Sequence, residues 1–319
     1  MNVQALCRAA GMTRQNYYHQ RHVREKAHID EALVTELVRA ERRRHPMIGG
    51  RKLWHLLEEE FKTAGVVLGR DRFFRVLKRH ELLIPRRKRT CRTTDSRHGF
   101  AVYTNLAKDL VPTGPHELWV SDITYLRTDE GFMYLALVMD VYSRKIVGYD
   151  CSDSLEAIGA RRALNMALKQ LPPEAQAMHH SDRGTQYCCQ EYVETLKRAR
   201  VSISMTQENH CYENAKAERL NGILKQEYSL GGTLSDKVTA QALARQAVML
   251  YNNHRPHTAL SYQYPAEVHK FDRFGMGGVM PVAGSLMSGT AVANATVTPP
   301  PIPELDPFAQ EARQVFGRT

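Results

Sequence analysis

Three acidic residues stand where their types and surroundings could do chemistry. Asp122 lies in WVSDITY (119–125), Asp182 in HHSDRGTQY (179–187), and Glu218 in ENAKAERLNGILKQEY (213–228). Asp122 interrupts an extended apolar run, and Asp182 ends a short one before an Arg-Gly turn. Glu218 is two residues from Leu220, about 200° round a helix, so it faces away from the stripe of Leu220, Ile223, Leu224 and Tyr228. Asn214, Asn221 and Lys225 share its side. If the three carboxylates were crowded together they would repel one another unless cations neutralised them. Hard divalent ions with oxygen ligands, Mg²⁺ above all, suit such a set. Two such ions about 3.5–4 Å apart can activate an attacking oxygen and stabilise the leaving oxygen of a phosphodiester. Asp182 at a strand end could then meet substrate, and Gly184 would let a nucleic-acid backbone come close.

Pattern alone does not single out these acids. A lone Asp in a strand is more often a hydrogen-bonded structural residue, and Asp140 and Asp150 fit the same description. His179-His180 with Cys188-Cys189 has poor spacing for zinc. One histidine facing the core and the other the site is the simpler expectation. The six cysteines form no CxxC pair, which argues against a disulfide scaffold and for a reducing cytoplasm. No apolar run reaches the length of a membrane span, and the N-terminus lacks the layout of a signal peptide.

The elements that must position the acids follow from periodicity. LWVSDITYLRT (118–128), FMYLALVMDVYS (132–143) and KIVGYDCSD (145–153) read as an antiparallel three-strand meander. A helix over 155–171, a strand AQAMHHSD, a helix QEYVETLKRA, a strand VSISMT (201–206) and helices over 213–228 and 236–252 follow. The expected fold is α/β, a mixed five-stranded sheet flanked by helices. A fourth strand pairing on the open side of the first would put Asp182 beside Asp122, with the long helix carrying Glu218 over them.

The first 84 residues read instead as short helices: ALCRAA, a second helix opened by Thr13 (RQNYYHQR), DEALVTELVRAERRR (30–44), GGRKLWHLLEEEF (49–61) and RDRFFRVLKRHELL (70–83). Two helix-turn-helix units or a plain helical bundle both satisfy this pattern. Charge is segregated. Residues 1–118 hold 24 Lys and Arg against 13 Asp and Glu, leaving 20 against 21 for the rest. A polyanion-binding face therefore belongs to the N-terminal third. Arg14, Gln15, Arg72 and Arg75 are candidates for contacting nucleic acid, and the basic run Arg86, Arg87, Lys88 and Arg89 for gripping phosphates. The expected domains are a helical DNA-binding region (1–84), a basic linker (85–117), a catalytic core (118–270) and a Gly, Ala and Pro-rich flexible tail (271–319).

The three acidic motifs, in this order, resemble the catalytic core of retroviral integrases and bacterial insertion-sequence transposases. The closest resemblance is to the OrfB-type transposases of two-frame insertion sequences. Between Asp182 and Glu218 lie 35 residues, the D-D-35-E spacing of that family, and YNNHRPHTALSYQYPAEV (251–268) looks like its closing segment. The His-His-Cys-Cys zinc module that opens retroviral integrases has no counterpart here. The resemblance implies an RNase H-like core in which Asp122, Asp182 and Glu218 hold two Mg²⁺ or Mn²⁺ ions. It implies cleavage at element ends and strand transfer by a 3′-OH, with Lys225, Arg183, Thr185 and Gln186 near the reacting DNA. Expected partners are double-stranded DNA (terminal repeats and target), further copies of the chain in a synaptic complex, and an upstream-frame fusion partner. The expected location is the bacterial cytoplasm, at the nucleoid. A catalytically silent DNA-binding regulator or domesticated remnant, or a nuclease without strand transfer, would share the same fold.

Overall fold

The computed structural model describes residues 3–85, 101–207 and 214–270. The basic run 86–89 and the tail 271–319 lie outside the described residues.

The helical region comes first. α1 (Val3–Ala9) turns through Gly11, at φ 62°, into α2 (Arg14–Arg44), where Thr13 caps the first turn by accepting a hydrogen bond from the Asn16 N–H. Separate helices at 13–21 and 30–44 are therefore corrected to one helix of 31 residues. No Gly or Pro lies between Arg14 and Arg44 to end it, so the helix runs on until His45-Pro46. α3 (Gly50–Thr63) and α4 (Arg70–Arg79) pack back on α2. Leu53, Leu57 and Phe61 of α3 and Phe73 and Leu77 of α4 join Val34 and Val38 in one small core.

The sheet has the order β3-β2-β1-β4-β5, with β1 (Leu118–Thr128), β2 (Gly131–Asp140) and β3 (Ile146–Ser152) antiparallel. β4 (Met178–Ser181) and β5 (Ser202–Met205) add parallel strands on the open side of β1. A sixth strand, β6 (Thr233–Leu234), pairs with the far end of β1 at Arg127 and Thr128. The five expected strands are all present, and β6 adds a sixth; its two residues are too few for alternation to show. This meander followed by two parallel strands is the RNase H-like arrangement.

Helices cover both faces. α8 (Ala215–Glu227) and α9 (Lys237–His254) lie over Val120, Leu126, Leu135 and Leu137, which alternate onto one side. α5 (Ala157–Leu168), the short α6 (Thr185–Cys188) and α7 (Gln190–Arg198) cover Trp119, Ala136 and Val138 on the other. α5 lies so near β3 that a Cβ on Gly148 would stand 2.0 Å from the Ala163 carbonyl oxygen, so only glycine fits there. Asn252 of α9 accepts the Ile146 N–H on its amide oxygen and donates its amide N–H to the Ile146 C=O, fixing α9 to the outer strand as a strand neighbour would. α10 (Pro265–Lys270) ends the described chain. Among the described residues no helix is long and apolar enough to cross a membrane.

Candidate active site

The site forms where β1 and β4 part. Their parallel register matches Trp119 with His179 and Val120 with His180. Two residues further along both strands come Asp122 and Asp182, so strand pairing brings these two acids side by side. β4 ends at Ser181, and Asp182 bends the chain by accepting the Gly184 N–H on its Oδ1 (2.9 Å). A Cβ on Gly184 would stand 3.0 Å from that same oxygen, so the glycine is needed first by its own neighbour's carboxylate.

Asp122 is held from two sides. Its Oδ1 accepts the Ile123 N–H (2.9 Å) and its Oδ2 accepts the side-chain amide of Asn221 (2.7 Å). Seven residues earlier, Asn214 donates its amide to the Ser121 carbonyl (3.0 Å). Asn214, Glu218, Asn221 and Lys225 form one stripe of α8, as helical spacing requires. The two asparagines are buried and spent on β1, Lys225 is half-buried and Glu218 is exposed. Burial raises the Asp122 carboxyl most, the neighbouring Asp182 carboxylate raises it further, and Glu218 adds a smaller push. The Ile123 and Asn221 donors oppose this, yet the group ends at about 7. Glu218 thus stands near enough to be felt but off the pair. Among the described residues no three His, Cys, Asp or Glu side chains gather closely enough to hold one metal ion.

The rival acids have other work. Asp140, fully buried, accepts the Ser143 hydroxyl (2.6 Å), the Ser143 N–H and the His116 N–H. Burial would raise it, but these donors and His269 outweigh burial and hold it low. Asp150 pairs with Arg162 at 3.1 Å. The histidines also separate. His179 takes the Ser121 and Tyr192 hydroxyls at its Nε2 (2.7 and 2.9 Å), and burial lowers it to about 3, so it is a neutral core residue. His180 meets the Ser204 hydroxyl on the opposite face (2.9 Å).

Of the candidate DNA contacts, Arg183 donates through Nε to the Thr206 carbonyl (2.7 Å) and Gln186 to the Leu155 carbonyl (3.0 Å). Both side chains therefore brace loops around Asp182, while Thr185 is exposed at the start of α6. Arg14 and Gln15 are exposed at the start of α2, Arg75 is exposed on α4 and Arg72 is half-buried. Sequence reasoning missed the Asn221–Asp122 contact, although the i, i+3 spacing from Glu218 was its signal.

A second cluster joins the helical region to α8. Glu227 accepts Lys52 (3.0 Å) and two donors of Arg255 (2.7 and 2.9 Å), and its carbonyl accepts the Met47 N–H. Burial would raise Glu227, but Arg255 and Lys52 outweigh it and hold the carboxylate down to about 2. Next to it, the Tyr228 hydroxyl meets His45 Nδ1 at 3.2 Å.

Residues 112–211 match the family model described as an integrase core domain, and residues 199–265 match a second model of that description. The chain is 33% identical over 265 residues to an insertion element IS600 31 kDa protein of Shigella sonnei, covering 82% of this chain and 96% of that protein. It is 32% identical over 272 residues to the transposase for insertion sequence element IS629 of Shigella sonnei, covering 83% and 90%. A chain in the cryo-EM structure of the simian T-cell lymphotropic virus intasome with PP2A regulatory subunit B56 gamma is similar at a TM-score of 0.45 and 16% identity. That likeness covers 76% of this chain and 81% of the other. On its relatives and its core, this chain belongs to the insertion-sequence transposases that carry an integrase core domain.

Proposed function

We propose that the chain cuts the ends of its insertion sequence and joins them to target DNA by exchanging phosphodiesters. The observation that carries this is the Asp122–Asp182 pair, two carboxylates side by side with, among the described residues, no cationic side chain in the contacts of Asp122. An all-oxygen pair in which burial, and then the second carboxylate, raises one member to about 7 suits a hard divalent cation, and the donor set fits Mg²⁺ or Mn²⁺. Asp122 and Asp182, with Glu218 brought in from α8, would hold two such ions. When bound, they supply activation of an attacking oxygen and stabilisation of the leaving oxygen.

The residues of the chain do the rest. The Asn221 amide fixes the Asp122 carboxylate, and Asn214 keeps α8 seated on β1. Asp122 is raised toward neutrality in the metal-free site, and arriving positive charge would favour its carboxylate form. Water attacks the phosphodiester at the element end, releasing a 3′-OH; that hydroxyl then attacks a second strand in line. One phosphodiester replaces another, so no ATP enters, and the work is positioning and charge neutralisation. Lys225 and Thr185 lie on the substrate side; Arg183 and Gln186 shape the loops that receive DNA. In this reading residues 1–84 engage terminal repeats through Arg14, Gln15, Arg72 and Arg75. The 85–117 segment grips backbone through Arg86–Arg89, 118–270 performs the chemistry, and 271–319 is an appended tail. Joining two ends requires at least two copies in one synapse, in the bacterial cytoplasm at the nucleoid. An upstream-frame product fused to the chain would add further DNA contacts.

The test is Mg²⁺-dependent strand transfer on a labelled terminal-repeat duplex, with Glu218→Gln alongside. The expected result is a joined product, lost in the variant while DNA binding survives. Binding without cleavage by the unmodified chain would mark a regulator or a subunit awaiting its fusion partner. Cleavage without joining would mark a nuclease.

A further inference from the structure

The β1–β2 hairpin is dressed differently on its two faces where it runs past the acid pair. On one face Leu126 and Met133 are buried in the core beneath α8 and α9. On the other, the core beneath α5, α6 and α7 reaches along β1 as far as Ile123 and no further. Tyr125, two residues on, is 41% exposed, and Phe132 of β2 is 44% exposed. Tyr125 lies directly across from the half-buried Tyr134, and their rings meet edge to face at 5.2 Å. Phe132 stands edge to face with Tyr125 at 6.2 Å, and the Arg127 guanidinium lies over the Phe132 ring at 5.8 Å. A sheet face left to water ordinarily carries polar side chains. This one carries three aromatic rings and an arginine.

Size and position point to one occupant. At about 200 Å² for each side chain, the exposed parts of Tyr125 and Phe132 offer no more than about 200 Å² together. A stable interface with a second protein takes about 800 Å² from each partner, so the patch falls far short. One or two nucleobases cover it, and a base stacks on an aromatic face whatever its identity. Tyr125 lies three residues beyond Asp122, about 10 Å along the strand, which is the rise of about three nucleotides. The two side chains leave opposite faces of β1, but the strand has an open edge between them. β1 pairs with β4 as far as Val120 and with β6 from Arg127 on, and no strand among the described residues pairs with the stretch between. A nucleic-acid strand leaving the acid pair can cross that edge to the rings, where Arg127 adds the positive charge a backbone phosphate needs.

We propose that Tyr125, Phe132 and Arg127 form a stacking platform for unpaired nucleobases next to the phosphodiester that Asp122 and Asp182 hold. This rests on the proposed function above, because it takes the acid pair as the point of cutting.

The test uses the full chain and two terminal-repeat duplexes, one paired to its end and one whose terminal base pairs are mismatched. Binding is read by fluorescence anisotropy and joining by Mg²⁺-dependent strand transfer, with thermal melting to check the fold. The parent is expected to prefer the mismatched duplex. Tyr125→Leu and Phe132→Leu keep apolar bulk but no ring. Each is expected to weaken binding of the mismatched duplex about tenfold, as the loss of one stacked base requires, while binding the paired duplex and melting as the parent does. A second readout needs no variant: 5-iodouracil placed in the mismatched end should crosslink under light to Tyr125 or Phe132 of the parent. Equal binding of the two duplexes by the parent, or crosslinks only to other residues, overturns the proposal while strand transfer by the parent keeps the functional reading intact. Loss of self-association in the leucine variants, seen by sedimentation, overturns it too, since the face would then join copies of the chain. If the parent joins neither duplex to target DNA, the functional reading fails and the proposal falls with it.

Discussion

Asp122 and Glu227 are both acids drawn out of water beside α8, and they end at opposite extremes. Glu227, at the C-terminal end of the helix, is met by Lys52 and by two donors of Arg255, and lies at about 2. Asp122, against the Asn221 turn, is met by one amide, one N–H and a second carboxylate, and lies at about 7. Burial pushes both upward, so the difference is made by the company each keeps. Glu227 has its counter-charges in the chain; among the described residues no cationic group is a cause acting on Asp122. Asp140 belongs with Glu227, since His269 and donors from Ser143 and His116 outweigh its burial.

The comparison can be broken most easily at Glu227. Glu227→Ala leaves Arg255 and Lys52 buried without their partner and should cost about 3–5 kcal/mol in chemical denaturation. A loss under 1 kcal/mol would mean that the cluster is solvated. Next in size is the cation effect: Mg²⁺ at a hundredfold excess over its Kd should stabilise the unmodified chain by about 2.7 kcal/mol. Melting of Asp122→Asn should not respond to it. Asp122→Asn should itself stabilise the metal-free chain at pH 8, because it removes a buried charge that also faces Asp182, while abolishing strand transfer.

The two acids should also shape opposite limbs of the metal-free stability profile. Asp122 is raised from 3.8, so its contribution is full below that value and is lost as pH rises through about 7. Glu227 is lowered from 4.5, so its contribution is full above that value and is lost as pH falls through about 2. Denaturation from pH 2 to 8 should show Asp122→Asn flattening the upper limb alone; flattening of both would refute independent environments. The smallest effect is expected at the surface. Arg79 pairs with Glu31 at 2.5 Å, but the arginine is 64% exposed, so Arg79→Ala should cost less than about 1 kcal/mol.

The family and the fold class were legible before any coordinates, for different reasons. Alternation and apolar runs marked the meander, and β4 adding to the open side of β1 made Asp122 and Asp182 neighbours on topology alone. β6 escaped because two residues carry no period, and α2 was divided because composition shifted at residue 30 without a helix breaker. At the site, residue types suggested a cation, and the resemblance suggested roles; neither could say which side chains hold Asp122. Asn221 was grouped with Glu218 by helical spacing, yet its contact crosses 99 residues of sequence. The cluster at Glu227 was illegible: Lys52 is 175 residues away, and a glutamate near the end of an amphipathic helix looks like any solvated one.

The two ends of α8 are therefore fastened to different parts of the molecule. Its 13 residues make a rod of about 20 Å, tied at Asn214 and Asn221 to β1 and at Glu227 to α3 and to Arg255, just beyond α9. No loop intervenes between these fastenings to absorb movement. The same rigid element thus connects the Lys52 contact of α3 with the Asn221 amide that orients Asp122, so the two regions share one mechanical part.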